Sequence, residues 1–274
     1  MIDLHIHTTA TPHHASWAPE ALAAAAAAAG LRAIAVTDHN TTTSVRAGQA
    51  AGARFGVRVV SGVEIDSGFA GKLWHTLVYG VAPDEPALLA LCDAVFTRNM
   101  ADAVALRGEL ARRGFQLDGL DDLDRPPNVA DVAAALARGN DLPARRVGED
   151  DESAGMRYIL EELPGGYRPV GMDEIITVAH RAGGLAVLAH PGRSKGVYAI
   201  PATAEDIAAL SQAGLDGIEV LYPSHTDEQR AFYHELARRH GLLITGGSDS
   251  HHPRQPLASW PLDACQIFLD RIGD

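Results

Sequence analysis

Arg32-Ala33-Ile34-Ala35-Val36-Thr37-Asp38-His39 decides how this chain is read. A short apolar run, bounded too closely for a helix, reads as a buried strand, and it ends on a carboxylate and an imidazole. The construction recurs: Val57 to Val63 leads into Glu64, Leu185 to Leu188 into His190, and Leu242 to Ile244 towards Asp249 and His251. His5 and His7 lie on the first strand, two apart and so on one face, and His75 lies within another. Buried strands ending in such residues gather them at one rim of a barrel. Neutral imidazoles and carboxylates suit Zn, Fe and Mn, and this set exceeds what one tetrahedral ion uses.

Helical segments separate the strands. Pro19 to Ala29 carries Pro near its start and Gly30 after its end, and Ala23 to Ala29 has the best helix propensity. Thr41 to Phe55, Met172 to Ala182, Ala204 to Ala213 and Thr226 to His240 also read as helices, and a strand-then-helix repeat predicts a parallel sheet. Counting Ile2 to Ile6, Leu73 to Val81 and Gly217 to Leu221 gives seven strands in all. The expected class is α/β, a distorted seven-stranded barrel, with an open doubly wound sheet as the alternative.

Between residues 83 and 171 the strand signal vanishes. Glu85 to Arg113 and Asn128 to Arg138 read as helices, and the acidic stretch Gly148 to Gly155 as a solvated loop. The expected division is 1–82 and 172–274 for the barrel and 83–171 for a helical insert. An insert after a strand emerges on the ligand-bearing rim, where it can act as a lid; a surface appendage is the plainer alternative.

The 274 residues suffice for one large barrel or two ordinary domains. With 23 Lys and Arg against 35 Asp and Glu, the net charge of −12 argues against long nucleic acid and leaves a small anionic substrate compatible with a cation-bearing site. Cys92 and Cys265 are far apart and unpaired in pattern, as expected of reduced thiols in a cytoplasmic protein. No run approaches membrane-spanning length.

Five motifs taken together resemble the polymerase and histidinol phosphatase (PHP) family: Asp3-Leu4-His5-Ile6-His7-Thr8, Thr37-Asp38-His39, Gly62-Val63-Glu64, Leu188-Ala189-His190-Pro191-Gly192-Arg193 and Gly247-Ser248-Asp249-Ser250-His251. Ala182-Gly183-Gly184, Gly214 to Val220 and the insert resemble the branch containing nucleotide phosphatases and trinuclear phosphoesterases. That resemblance implies a TIM-like, distorted (β/α)7 barrel with an inserted helical subdomain, and three divalent ions, Mn, Zn or Fe. The first ion would take His5, His7, Glu64 and Asp249; the second would share Glu64 and take His75 and His190; the third would take His39 and His251. Many relatives carry Ser-Asp-Gly after the first motif, with the Asp on the third ion. Pro12 stands at that position here; His13, one residue later as in some family members, is the expected substitute and His14 the fallback.

The expected activity is hydrolysis of a small organic phosphate, a phosphomonoester that is nucleotide-derived in one version, by a hydroxide held between the Glu64-bridged ions. Glu64 is then a bridge and not a base. Arg193 is placed to offer its fork to a phosphate oxygen, with a solvated loop Arg as the bland reading and Lys195 a weaker candidate. The leaving oxygen takes a proton from His251 or is met by the third ion. Asp38 is expected behind an imidazole as an orienting acceptor. The nucleotide-acting branch carries Arg-Pro-His in its insert where this chain has Arg125-Pro126-Pro127-Asn128, so Asn128 stands in the substrate-contact position and a bisphosphate or RNA substrate is disfavoured. The alternatives are a metal-binding accessory module of the kind attached to polymerases, and amide hydrolysis on the same scaffold.

Overall fold

The computed structural model describes residues 1–11, 15–143, 145–194 and 200–273. Strand β1 (Ile2–Asp3), helix α1 (Pro19–Ala28), strand β2 (Ala33–Val36), helix α2 (Val45–Phe55) and strand β3 (Arg58–Phe69) follow the expected alternation. β1, β2 and β3 pair in parallel. All four residues of β2 are buried, as an apolar run covered on both faces should be. α2 starts four residues later than its pattern suggests, because the Thr42 hydroxyl donates to the Pro83 carbonyl 2.6 Å away and residues 41–44 form a loop.

The first departure comes at β4 (Lys72–Tyr79), which runs antiparallel to β3. Only Ala70 and Gly71 separate the strands, both with positive φ (49° and 77°), and a two-residue turn of this kind sends the chain straight back. β3 is also longer than expected, continuing past Glu64 to Phe69. An all-parallel sheet is therefore incorrect for this chain.

The helical stretch contains α3 (Pro86–Arg112), α4 (Val129–Gly139) and α5 (Asp151–Glu162). Leu106, Leu110, Val132, Leu136, Met156 and Ile159 pack together there, in a cluster that also takes in Leu73 of β4. Gly148 to Asp150 is a loop, with Gly148 and Asp150 exposed, but from Asp151 the expected loop is the start of α5. Asp150 caps α5 by accepting from the Ser153 N–H at 2.8 Å, and Ser153, Ala154 and Gly155 are buried against α4. The two helices approach so closely that a Cβ on Gly155 would lie 1.9 Å from the Ala133 carbonyl oxygen.

An eighth strand, β5 (Val170–Gly171), pairs with β3. There follow α6 (Met172–Arg181), β6 (Leu185–Leu188), α7 (Ala204–Gln212), β7 (Gly217–Leu221), α8 (Asp227–His240), β8 (Leu243–Gly246), a 3₁₀ turn (Asp263–Cys265) and α9 (Gln266–Arg271). The strand order is β1-β2-β3-β4-β6-β7-β8, with β4 antiparallel to both neighbours and the other pairs parallel. The two ends of this order are tied together. Leu4 N–H donates to Gly246 at 2.9 Å, Asp249 N–H to His5 at 2.8 Å and His7 N–H to Ser250 at 2.9 Å. One apolar cluster draws on Leu4, Ala35, Val60, Leu77 and Val187 and is closed below by Phe268. The mixed α/β sheet is parallel-rich and curls until its edges meet.

Because the α4–α5 contact is backbone against backbone, Gly155→Ala should cost about 1–3 kcal/mol, the usual range for overpacking. The urea unfolding midpoint will fall accordingly; an unchanged midpoint would show that these helices do not meet as described.

Candidate metal centre

Side-chain alternation carries the site up from the apolar cluster. On β3 and β4, Val60, Leu77 and Tyr79 face that cluster, so by period two Glu64, Asp66 and His75 share the same face nearer the rim. Register puts His75 opposite Asp66. His5, His7, His39, His190, Asp249 and His251 join them from segments just beyond β1, β2, β6 and β8. His190 (φ 29°) and Asp249 (φ 57°) hold positive φ, unusual for non-glycine residues and a form of strain that collects at functional sites. Each is pinned at its backbone: the Asp249 N–H donates to the His5 carbonyl, and the His190 N–H donates to a Glu219 carboxylate oxygen, both at 2.8 Å.

Glu64 is fully buried and is the hub. Its Oε2 lies 3.2 Å from Nε2 of each of His5, His7 and His39. Its Oε1 lies 2.9 Å from His75 Nδ1 and 3.1 Å from His190 Nε2. Asp249 Oδ1 is 3.1 Å from His7 Nε2 and 3.6 Å from His5 Nε2. Two donors on one tetrahedral ion at about 2.1 Å stand roughly 3.4 Å apart, so these separations are those of shared ligands. Despite its three imidazole neighbours, Glu64 Oε2 has no hydrogen-bond partner, and His39 Nδ1 and His190 Nδ1 are likewise unpartnered and buried. Buried polar atoms are rarely left so, and the donor set fits divalent metal ions.

Three groupings can hold an ion among the described residues: His5, His7, Glu64 and Asp249; His39, Glu64 and His75; and His7, His39 and His251. The first is the set the family resemblance implied. The others divide the remaining ligands differently, with His39 joining Glu64 and His75, although His190 also reaches Glu64. His13, His14 and Lys195 lie outside the described residues.

The electrostatics separate the imidazoles. Burial by itself would lower His5, yet Glu64, Glu219 and Asp249 overrule it and hold its pKa well above the usual value. His7 and His75 are also raised against burial, by Asp249 and Glu64 and by Glu64 and Asp66 respectively. The same attractions overcome burial to hold Glu64 and Asp249 well below the ordinary carboxylate range. Burial wins at His190, which is lowered, and at His251, where burial and the neighbouring His7 push it to about 4.

Several residues that sequence reasoning passed over hold the ligands in place. Glu219, fully buried in β7, accepts from His5 Nδ1 at 3.1 Å as well as from the His190 backbone. Tyr222 donates to Asp249 Oδ2 at 3.0 Å, and Arg193 donates to the same oxygen at 2.9 Å. His225 accepts from the Gly192 N–H through Nε2 and donates through Nδ1 to Val220, fixing the turn that carries Arg193. Asp38 acts at one remove from where it was expected. It accepts from the Thr8 and Thr11 hydroxyls, each at 2.7 Å, and Thr11 in turn meets His7 Nδ1 at 3.3 Å.

A cavity of about 530 Å³ opens beside the cluster. His39, His75, His190, His251 and Arg193 form one wall, while Phe96, Met100 and Asn128 from the helical stretch form part of the other. Asn128 lines it as the N-cap of α4, its side-chain oxygen accepting from the Asp131 N–H at 2.8 Å. Arg125 is absent from the lining and forks instead onto Asp131.

The PHP domain family matches residues 3–103. A phosphoribosyl 1,2-cyclic phosphate 1,2-diphosphodiesterase from Eggerthella lenta is 33% identical over 258 residues, covering 91% of this chain and 93% of that protein. The chain belongs to the PHP family. Two further relatives of this PHP protein are a 3′,5′-nucleoside bisphosphate phosphatase from Chromobacterium violaceum (29% identical; 92% of this chain, 87% of that one) and the 5′-3′ exoribonuclease Rnm of Escherichia coli (29%; 92% and 85%). Among solved structures, a C. violaceum amidohydrolase with bound sulfate superposes on the PHP chain with a TM-score of 0.69 at 28% identity, covering 96% of this chain and 93% of that one. Among the described residues no helix is long and apolar enough to cross a membrane.

Two outcomes follow from this geometry. Glu219→Gln should weaken metal binding about 10–100-fold in chelator competition, the usual cost of losing an acceptor behind a ligand imidazole; wild-type affinity would sink that role. Since His5, His7 and His75 are raised in the metal-free protein and must lose protons to bind a cation, ion uptake at pH 7 should release protons and tighten from pH 6 to 8. Calorimetry in two buffers of different ionisation enthalpy reads this directly, and identical heats in both would contradict it.

Proposed function

We propose that this metal-dependent phosphoric ester hydrolase acts on a small organic phosphate, a phosphomonoester that is nucleotide-derived in one version, with three divalent ions held by the Glu64-centred cluster. The observation that carries the reading is the hub itself: both Glu64 oxygens surrounded by five imidazoles, at the edge of a cavity whose size suits a small molecule. The relatives support it, since each is named for cleavage of a phosphate ester. They differ in whether that ester is cyclic, terminal or part of RNA, so the phosphoryl chemistry is the common element and the alcohol the variable one.

His5, His7, Glu64 and Asp249 would hold one ion, with His39, His75, His190 and His251 completing the others, and His13 a candidate addition. Bound ions supply a lowered pKa for water and charge neutralisation at the phosphoryl oxygens. Glu64 stays ionised and tied to imidazoles, which suits a bridging ligand and leaves it no role as a base. Arg193 uses one nitrogen on Asp249 and lines the cavity, leaving guanidinium donors for a phosphoryl oxygen. His251 donates through Nδ1 to the Asp249 carbonyl, and with a pKa near 4 it is neutral at pH 7. That supports His251 as a ligand and disfavours it as the acid that protonates the leaving oxygen.

Phosphate release from a panel of sugar phosphates, nucleotides, cyclic phosphates and short oligoribonucleotides, with Mn, Zn or Fe added to chelator-treated protein, tests the assignment. Turnover should be strongest on a small monoester and vanish with chelator. No turnover of any ester with any of these ions would favour an accessory metal-binding module. Arg193→Ala should lower kcat/KM about 10²–10³-fold, the loss typical of removing one transition-state donor. An unaffected variant would point away from phosphorus and towards a carbonyl substrate.

A further inference from the structure

Arg193 meets its carboxylate in a way that three other arginines of this chain do not. Arg98 on Glu174, Arg125 on Asp131 and Arg238 on Glu235 each set two nitrogens against two oxygens. That fork is a frequent geometry between a guanidinium and a carboxylate. Arg193 touches Asp249 through Nη1 alone, 2.9 Å from Oδ2, and among the described residues its Nε and Nη2 have no hydrogen-bond partner.

The reason lies in what already occupies Asp249. Oδ1 is turned to the imidazoles, 3.1 Å from His7 Nε2 and 3.6 Å from His5 Nε2. Oδ2 accepts from the Tyr222 hydroxyl at 3.0 Å. A carboxylate oxygen has two lone pairs, so Tyr222 and one nitrogen of Arg193 fill Oδ2 between them and no place remains for a fork.

The base of the arginine is fixed independently. The Gly192 N–H donates to His225 Nε2 at 3.0 Å, Gln229 donates to the Gly192 carbonyl at 2.8 Å, and the Arg193 N–H donates to the His190 carbonyl at 2.9 Å. The turn has no slack, since a Cβ on Gly192 would lie 2.9 Å from both the His225 ring and Tyr233. With the backbone held, the contact at Asp249 decides where the guanidinium points. Tyr222 is buried and takes no part in the cavity lining, whereas Arg193 does. The phenol therefore reaches the shared oxygen from the protein side and does not itself meet a ligand.

We propose that Tyr222 is a positioning residue for Arg193: by filling one lone pair of Asp249 Oδ2 it keeps the guanidinium end-on, so that Nε and Nη2 stay available to a phosphoryl oxygen in the cavity. Without the hydroxyl, a second guanidinium nitrogen would turn onto Oδ2, and the donors meant for the anion would be spent on the protein's own carboxylate. The role rests on the phosphate-ester reading above.

Calorimetric titration of inorganic phosphate into the full chain tests it, with manganese in excess and the ion content of each protein measured by elemental analysis. The Tyr222→Phe ring keeps its places beside His190 and His225, with centroids 5.4 and 5.2 Å away, so the packing of the turn is preserved. This variant should bind phosphate about 10-fold more weakly than the wild type, the scale of one donor lost from a charged acceptor. Arg193→Ala should lose more. Adding Tyr222→Phe to Arg193→Ala should change the affinity by less than about 2-fold, because no guanidinium is left to place, a coupling that a merely structural tyrosine would not produce. Unchanged phosphate affinity in Tyr222→Phe would overturn the role. So would an equal loss in the Arg193→Ala background or a variant that sheds its manganese, either of which would show Tyr222 acting through Asp249 without Arg193. A manganese-loaded wild type that binds no phosphate would overturn the role together with the function it rests on, whereas phosphate binding in the wild type beside an unaffected variant removes the role alone.

Discussion

The structure depends on a carboxylate placed where it has no ordinary reason to be. Glu64 is removed from water, and five imidazoles press on its two oxygens at 2.9–3.2 Å. Burying a charge is tolerable only when it is paired and hydrogen-bonded, and Oε2, though flanked by three ring nitrogens, has no hydrogen bond. Cations held by those atoms would turn the conflict into coordination. Every strand that reaches the rim is then constrained in register, because a slip of one residue would turn its ligand to the other face.

That constraint explains the interrupted parallel sheet. His75 must come close to Glu64 Oε1, and a strand entering from a helix on the outside would deliver a ligand only at its end. The Ala70-Gly71 turn instead folds β4 back along β3, so His75 is delivered from mid-strand, opposite Asp66. Extending β3 past Glu64 carries the hairpin above the rim, where β5 pairs with its far end at Ser67 and Gly68 and the chain re-enters α6. The helical stretch therefore leaves β4 at the end away from the ligands, where Tyr79 meets Phe268, and returns beside them through β5, with Phe96, Met100 and Asn128 forming part of the cavity wall.

How far the sequence could be read follows from the same physics. The ligands were legible because each is a polar residue at the end of an apolar run, a pattern that folding alone does not require. Glu219 and Asp66 were not, because a carboxylate inside a strand looks like the solvent-facing half of an alternation until the partner facing it is known. The direction of β4 was hidden for a related reason: alternation gives the faces of a strand and says nothing of its polarity, and only the positive φ of a non-glycine residue, Ala70, completes the turn. α5 was missed because its first turn is acidic and includes Gly155, although Asp150 followed three residues later by Ser153 is an N-terminal cap. Asn128 shows the converse case, since part of its role at the cavity wall is to cap α4. Family resemblance supplied the ligand set and one division of it among ions; of the groupings that the side chains form, one coincides with that division and two cut across it.

Charge ties substrate binding to ion occupancy. Around the hub stand four carboxylates, Glu64, Asp66, Glu219 and Asp249, against the single guanidinium of Arg193. With the imidazoles neutral, that arrangement repels a phosphate, and Arg193 is itself drawn onto Asp249. Two divalent ions held by these groups would be enough to reverse the sign, and the carboxylates would then make the anion site conditional on the ions. A chain with a net charge of −12 can in this way bind an anion at one point while keeping the rest of its surface unattractive to polyanions. The wall of the cavity opposite the cluster is built from different elements, with Phe96, Met100 and Asn128, none of which belongs to the groupings that can hold an ion. A fixed phosphoryl end and a replaceable alcohol end are consistent with relatives of similar identity that are named for a cyclic sugar phosphate, a nucleoside bisphosphate and RNA.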